Sequence, residues 1–328
     1  MPRKPARSAG IRREGSPFTG LGPVFMKEFA DHLSSARMMV LMLFVIVFGA
    51  FPVASSLQQL RTVTEQDSYL FLRIFTSAPE SLPISFVFAL NFIIPVMAIG
   101  LGFDAVNSEF NRRTLSRVLS QPIYRDALLL GKFLGGLATL AVVMTALWLI
   151  VFGAGLLLLG LPPRGVEVAR GACFLLAAIA YGGVWLAASL LFSVIFRSTA
   201  TSALCALGLW LFFFLLWPMI ASAITLGFAP SQIRSAEEYL AVEQLGLVLS
   251  RFSPGTLFSE AVVGLLNPET RTFGSMLPAQ MRGVIPGAPL PLDQSLLLIW
   301  PQMTGLIAGM IVVFAAAYVI FQREEVRA

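Results

Sequence analysis

Apolar residues along this chain gather into six runs, Met38–Leu57, Leu82–Val106, Ala127–Leu161, Gly171–Ile195, Thr201–Leu226 and Ser295–Phe321. A helix needs about 20 predominantly apolar residues to cross a bilayer, so each run predicts one membrane span. The third is longer than a span requires. At about 35 residues it would reach about 52 Å at 1.5 Å per residue, against a hydrocarbon core of about 30 Å, so it must tilt or project. Asp126 is placed to cap its start and Pro162–Pro163 to stop it. Ahead of the first run, Phe25, Phe29 and Leu33 recur at i, i+4 and i+8, with Lys27, Glu28, Asp31, His32 and Ser34 on the other faces. That spacing predicts an amphipathic helix over about 22–36, lying in the membrane interface or extending the first span. Residues 227–294 form the longest break between runs. Ala236–Leu266 reads as a charged amphipathic half and, after Pro254, a short apolar half, interfacial or re-entrant. Asn267–Gln294 is proline-rich and extended.

Composition points the same way. Hydrophobic residues make up 57% and charged residues 12% of 328, where a soluble domain carries about 25% charged. Too little polar surface remains to cover a soluble globule, which argues against a soluble enzyme, a disordered chain and a nucleic-acid-binding domain. The formal charge of +5 is gathered in a few segments: Arg3, Lys4, Arg7, Arg12, Arg13, Lys27 and Arg37 before the first run, and Arg112, Arg113, Arg117, Arg125 and Lys132 between the second and third. The opposite segments hold Arg61, Arg73, Arg164 and Arg170. Positive residues mark the cytoplasmic side, so both termini are expected there and 227–294 outside. Residues 1–20 read as a disordered basic tail near anionic lipid, not a signal peptide. Residues 21–328 read as one all-α polytopic domain.

Chemistry inside the spans is sparse. The charges nearest the core, Asp104 and Lys132, fall at predicted cytoplasmic ends, so no run has the central ionisable group of an ion-coupled carrier. Asn91, Tyr181, Ser189, Gln302 and Thr304 are the mid-span polar residues. Asn91 and Gln302 are the candidate substrate contacts, although helix–helix hydrogen bonding is the commoner use of such groups. Cys173 and Cys205 sit in apolar runs and read as small buried side chains. With His32 alone, they assemble no metal site. The twelve methionines are read as apolar filling. The Gly131–Lys132 pair is not a phosphate loop: Asp126 stands where that motif needs Gly, and Phe133 where it needs Ser or Thr. No catalytic residue or cofactor is expected in this chain, and energy for active work must arrive through another subunit.

The segment suited to receive it is Ser108–Lys132, SEFNRRTLSRVLSQPIYRDALLLGK. Leu115, Val118 and Leu119 make a short apolar stripe flanked by Arg112, Arg113 and Arg117, and Pro122 ends the turn. Such a ridge fits a groove on an acidic-rimmed partner, and fits a lipid surface equally well. The run resembles the cytoplasmic loop of type-2 ATP-binding-cassette (ABC) permeases, through Glu109, Thr114–Leu115, Leu119, Ser120, Pro122, Arg125, Gly131 and Lys132. Arg113 stands where that family often has Gly. The helix carrying Lys27 and Glu28 is similar to the family's elbow helix. Ser253–Pro254 and Leu257–Phe258 are similar to its external helical hairpin.

The resemblance implies a six-span permease subunit of an exporter-like complex in the bacterial cytoplasmic membrane. Two copies, or this chain and a homologue, would pair with two cytoplasmic ABC ATPase subunits, which bind ATP and Mg. Loop 108–126 would be the coupling helix, carrying Glu109, Arg112, Arg113, Thr114, Leu115, Arg117, Leu119, Pro122 and Arg125. Gly131-x-x-x-Gly135 and Gly305-x-x-x-Gly309 would allow close helix approach. The competing expectation is a non-transporting scaffold or assembly factor whose working part is 227–294. Membrane lipid is a partner in either case, and nucleic acid in neither.

Overall fold

The computed structural model describes residues 18–60, 69–76, 85–111, 124–160, 162–230, 235–274 and 289–323, and every regular element among them is helical. In chain order these are α1 (Leu21–Ser34), α2 (Ala36–Leu60), α3 (Leu70–Thr76), α4 (Phe86–Gly102) and α5 (Asn107–Asn111). They continue as α6 (Arg125–Leu159), α7 (Gly165–Ile195), α8 (Thr199–Leu211), a π-helical turn (Phe212–Leu216), α9 (Trp217–Phe228), α10 (Ala236–Ser250), α11 (Pro254–Leu266) and α12 (Leu292–Arg323). Five helical stretches are long and apolar enough to cross a membrane: 86–111, 126–158, 165–195, 199–228 and 292–323. A sixth exists if α1 and the start of α2, bent by 64° at Ser35, count as one span.

That bend has a local cause. Ser35 is extended, with φ −77° and ψ 139°. Its Oγ lies 3.1 Å from the His32 carbonyl and accepts from Met38 N at 3.2 Å. One residue thus ends α1 and caps α2.

The long third run is one helix of 35 residues, within two residues of the predicted bounds, but its capping residues differ from those expected. Tyr124, not Asp126, is the N-cap, without a side-chain bond. Asp126 lies in the first turn, where a carboxylate meets the positive end of the helix dipole, and accepts from Gln322 Nε2. The stop is Gly160 in the left-handed conformation, φ +70°, returning its N–H to the Leu156 carbonyl. This is the glycine C-cap, and the proline pair follows it.

α7 is the central helix, packed by α4, α6, α8, α11 and most extensively by α12. It begins at Gly165, six residues before the apolar run suggested. Glu167 and Arg170 break the hydropathy but not the helix: Glu167 accepts from Arg164 N at 2.7 Å and from Phe71 N at 3.2 Å. Arg170, read above as a loop charge, is completely buried. It donates to the carbonyls of Leu265 (2.7 Å) and Leu290 (2.5 Å) and to Ser295 Oγ (3.1 Å), joining α7, α11 and α12 at one end of the bundle. The unforeseen α3 buries Phe71, Leu72, Ile74 and Phe75 against that end.

Candidate functional site

The 112–123 segment, which holds Arg112, Arg113, Thr114, Leu115, Arg117, Leu119 and Pro122, lies outside the described residues. Its two roots are described. On one side α4 ends at Gly102 and α5 leads in. On the other Arg125 is the first residue of α6.

The first root is tied to the far end of α7. Ser193 Oγ accepts from Val106 N (2.9 Å) and Asn107 N (3.3 Å). Asn107 Nδ2 donates to the carbonyls of Phe103 (3.2 Å) and Phe196 (3.3 Å), and Asn111 Nδ2 to that of Arg197 (3.0 Å). Phe196 and Arg197 are in the turn between α7 and α8, whose carbonyls have no helical partner of their own. Two asparagines one turn apart thus hold the entrance of the loop against that turn.

The second tie is ionic. Lys132, about two turns into α6, has a side chain only 3% exposed. Its ammonium lies 2.7 Å from Glu109 Oε1 and 2.9 Å from Glu28 Oε1. Lys27 Nζ reaches the same Glu28 oxygen at 3.2 Å and Asp31 at 3.4 Å. A buried ammonium needs compensating charge, and here one helix and one loop root each supply a carboxylate. Burial alone would push the Glu28 carboxyl up, but Lys132 and Lys27 together outweigh it and hold it below the usual glutamate range. Burial likewise opposes charge on Lys27, and its acidic neighbours reverse that, raising its ammonium pKa.

Two glycines on α6 make the geometry possible. A β-carbon on Gly131 would lie 2.6 Å from Val24 Cγ1, and one on Gly135 would lie 2.9 Å from Glu28 Cβ. The predicted close approach at Gly131-x-x-x-Gly135 is therefore present, and the helix received is α1. Consequently α1 turns Val24, Glu28 and His32 inward. The predicted apolar stripe Phe25, Phe29 and Leu33 is only half-buried, with Phe25 and Phe29 stacked at 6.0 Å. A notch and a buried cation thus fix the inner face of α1, and the apolar stripe stays partly open to the surroundings. The second glycine pair does not behave alike: Gly305 faces Leu257, and nothing lies within 4 Å of a β-carbon on Gly309.

Of the predicted coupling residues, the structure therefore brings Glu109 into the Lys132 cluster and sets Arg125 at the start of α6. The candidate substrate contacts both make intramolecular bonds. Tyr181 Oη lies 2.7 Å from Asn91 Oδ1 and 3.1 Å from the Asn91 carbonyl, which Pro95 cannot serve because proline lacks an N–H. Asn91 Nδ2 donates to Ser259 Oγ at 3.1 Å. Gln302 Nε2 donates to Glu260 Oε2 at 2.7 Å. Sequence reasoning missed Glu28, Asn107, Asn111 and Ser193. The asparagines one helical turn apart were a readable signal; Ser193 carried none.

A family model for the ABC-2 family transporter protein matches residues 23–326. The chain belongs to this family. It is also similar to two proteins described as probable ABC transporter permease protein NosY. That of Stutzerimonas stutzeri is 32% identical and that of Pseudomonas aeruginosa 38% identical, each over 155 residues, or 46% of this chain and 54% of that protein. The match thus spans about half the length of these relatives. Family membership and the apolar helices make this a multi-pass membrane protein with the character of a permease subunit.

Proposed function

We propose that this chain is the transmembrane permease subunit of an ABC transporter, moved by ATP hydrolysis in a separate ATPase subunit to perform export or conformational work across the bacterial cytoplasmic membrane. Two permeases, identical or homologous, pair with two ATPases, which hold the ATP and Mg. Both termini and loop 108–126 face the cytoplasm, α1 serves as the elbow helix, and 227–294 faces outward. Arg112, Arg113, Thr114, Leu115, Arg117, Leu119, Pro122 and Arg125 form the docking ridge.

The observation that carries this reading is the double anchoring of the loop's entrance. Glu109 joins it to α6 and α1 through Lys132, and Asn107 and Asn111 join it to the α7–α8 turn. A push on the loop therefore reaches four membrane helices without any ionisable group in their centres. Glu109 works at the base of the loop, as a positioning residue between the docking ridge and the bundle.

The test is co-purification of the tagged full-length chain with an ATPase subunit, followed by ATPase assay in proteoliposomes. Replacing Leu115, Arg117 and Leu119 together by Asp is expected to abolish both association and permease-dependent ATPase stimulation. Unchanged stimulation, or a complex lacking any ATPase, would overturn the reading in favour of a scaffold.

A further inference from the structure

A cavity of about 200 Å³ lies among α4, α7, the π-helical turn and the start of α11. Asn91, Tyr181 and Trp210 on its walls belong to three of the membrane-crossing stretches, so it sits at membrane depth. Its lining holds no acidic or basic side chain.

The π-helical turn shapes one wall. Trp217 N bonds to the Phe212 carbonyl, five residues back, and the next residue, Pro218, has no N–H to give to Phe213 or Phe214. Ser253 Oγ serves the Phe213 carbonyl instead, at 3.3 Å. Two consecutive residues, Phe213 and Phe214, both line the cavity. Trp210 stacks on Phe214 at 5.5 Å, and Trp185 meets Phe213 edge-on at 6.4 Å. Such turns concentrate at functional sites. The opposite edge is polar and comes from α11. Gly255 lets that helix close on α4, since a β-carbon there would lie 3.0 Å from Asn91 Oδ1. Ser259 Oγ accepts from Asn91 Nδ2 at 3.1 Å, which leaves the serine proton to give. Thr256, three residues earlier on the same face, makes no side-chain hydrogen bond among the described residues.

The lining selects the occupant. A charged ligand would meet no counter-charge at membrane depth. The rings of Tyr181, Trp185, Trp210, Phe213 and Phe214 offer faces and edges to a flat ring. The two hydroxyls of α11 have protons to give and so call for an acceptor oxygen. The volume is close to the roughly 150 Å³ that takes one benzene, so a single ring fits and any tail must leave. Phe92 packs edge-on against both Trp210 and Phe214, at 4.9 and 6.1 Å. Phe92 and Phe88 are 39% and 51% exposed, and carry the aromatic surface out to the side of the bundle.

We propose that this cavity binds the head of an uncharged, quinone-type molecule from the bilayer, with its ring against Trp185, Trp210 and Phe214, a carbonyl oxygen accepting from Thr256 and Ser259, and its apolar tail passing out along Phe92 and Phe88. The site is separate from the Lys132 cluster and is occupied whether or not an ATPase drives the chain.

Equilibrium binding to the delipidated full-length chain in detergent, corrected for uptake by protein-free micelles, tests this. The probes are duroquinone, durene (the same methylated ring without oxygens), a decyl-tailed benzoquinone and benzyltrimethylammonium. Duroquinone should bind saturably and about fivefold more tightly than durene, the worth of one neutral hydrogen bond, and the decyl-tailed quinone more tightly still. Thr256→Val should remove most of the advantage over durene and leave durene binding unchanged. Trp210→Leu should weaken both ring probes, with the melting temperature recorded to separate binding from folding. Equal affinity for duroquinone and durene in the wild type, or an undiminished advantage in Thr256→Val, would overturn the proposal. Tighter binding of benzyltrimethylammonium than of duroquinone would overturn it in favour of a cation cage. A decyl tail that adds nothing would overturn the bilayer source in favour of a soluble ring compound.

Discussion

The two ends of the bundle bury a basic side chain in opposite ways. Arg170 donates from its two terminal nitrogens to two backbone carbonyls and a serine hydroxyl, whereas Lys132 is held by two carboxylates from separate segments. Hydrogen bonds to carbonyls are directional and short-ranged, so Arg170 locks α7, α11 and α12 into one arrangement. Ion pairs vary slowly with distance and angle, so the Lys132 cluster can keep α1, α5 and α6 together while they shift. One end is built as a fixed joint and the other as a compliant one, and the compliant one sits at the root of loop 112–123.

The sharpest way to break this contrast is Arg170→Leu. It removes three charge-assisted hydrogen bonds, each worth roughly 1.5–3 kcal/mol, and strands two carbonyls. Folded yield and melting temperature in detergent should collapse, with a loss of about 5 kcal/mol. Lys132→Met comes next. It removes the buried ammonium that Glu28 and Glu109 share and leaves Lys27 as the cation beside Glu28, at a cost of about 3 kcal/mol. The contrast predicts a folded but loosened protein, with hydrogen exchange accelerating in α1 and α5 and little changed in α11. Uniform acceleration would erase the distinction between the two ends.

A smaller effect follows from the notch. Gly131→Ala places a β-carbon 2.6 Å from Val24 Cγ1 and should cost about 1–3 kcal/mol. Val24→Ala should partly restore it, whereas Gly309→Ala, with open space around it, should be silent. The smallest effect is acid loosening of α1. Because the folded Glu28 pKa is depressed, its contribution is complete above the ordinary glutamate value. It is lost as the pH falls through the lower folded value. Exchange protection of α1 should therefore drop at acid pH in the wild type, and the drop should be smaller in Glu28→Gln.

Much of this contrast was unreadable in the sequence, for physical reasons. Apolar runs located five of the long apolar helices because hydropathy is a sum over about 20 residues and tolerates local errors. The same averaging hid Arg170: a charge near a run's edge counts as loop, although its fate depends on carbonyls 95 and 120 residues away. The glycines of α6 announced a close approach but not the partner, since spacing describes one surface only. Glu109 was singled out through the resemblance, but Glu28, which shares the Lys132 ammonium with it, lies 104 residues from Lys132, a separation no local pattern bridges. The π-helical turn at Phe212–Leu216 is similar. Pro218 cannot donate to Phe214, Trp217 N returns to the Phe212 carbonyl, and Ser253 Oγ donates to the Phe213 carbonyl at 3.3 Å. Only the proline was visible beforehand.

The most direct test is a double-mutant cycle on Glu109 and Lys132, read as permease-dependent ATPase stimulation in the reconstituted complex. If force from the loop passes through their contact, Glu109→Gln and Lys132→Met each reduce stimulation, and the double variant is no worse than Lys132→Met alone. Strictly additive losses, or full stimulation in both single variants, would show that the loop drives the bundle by another route.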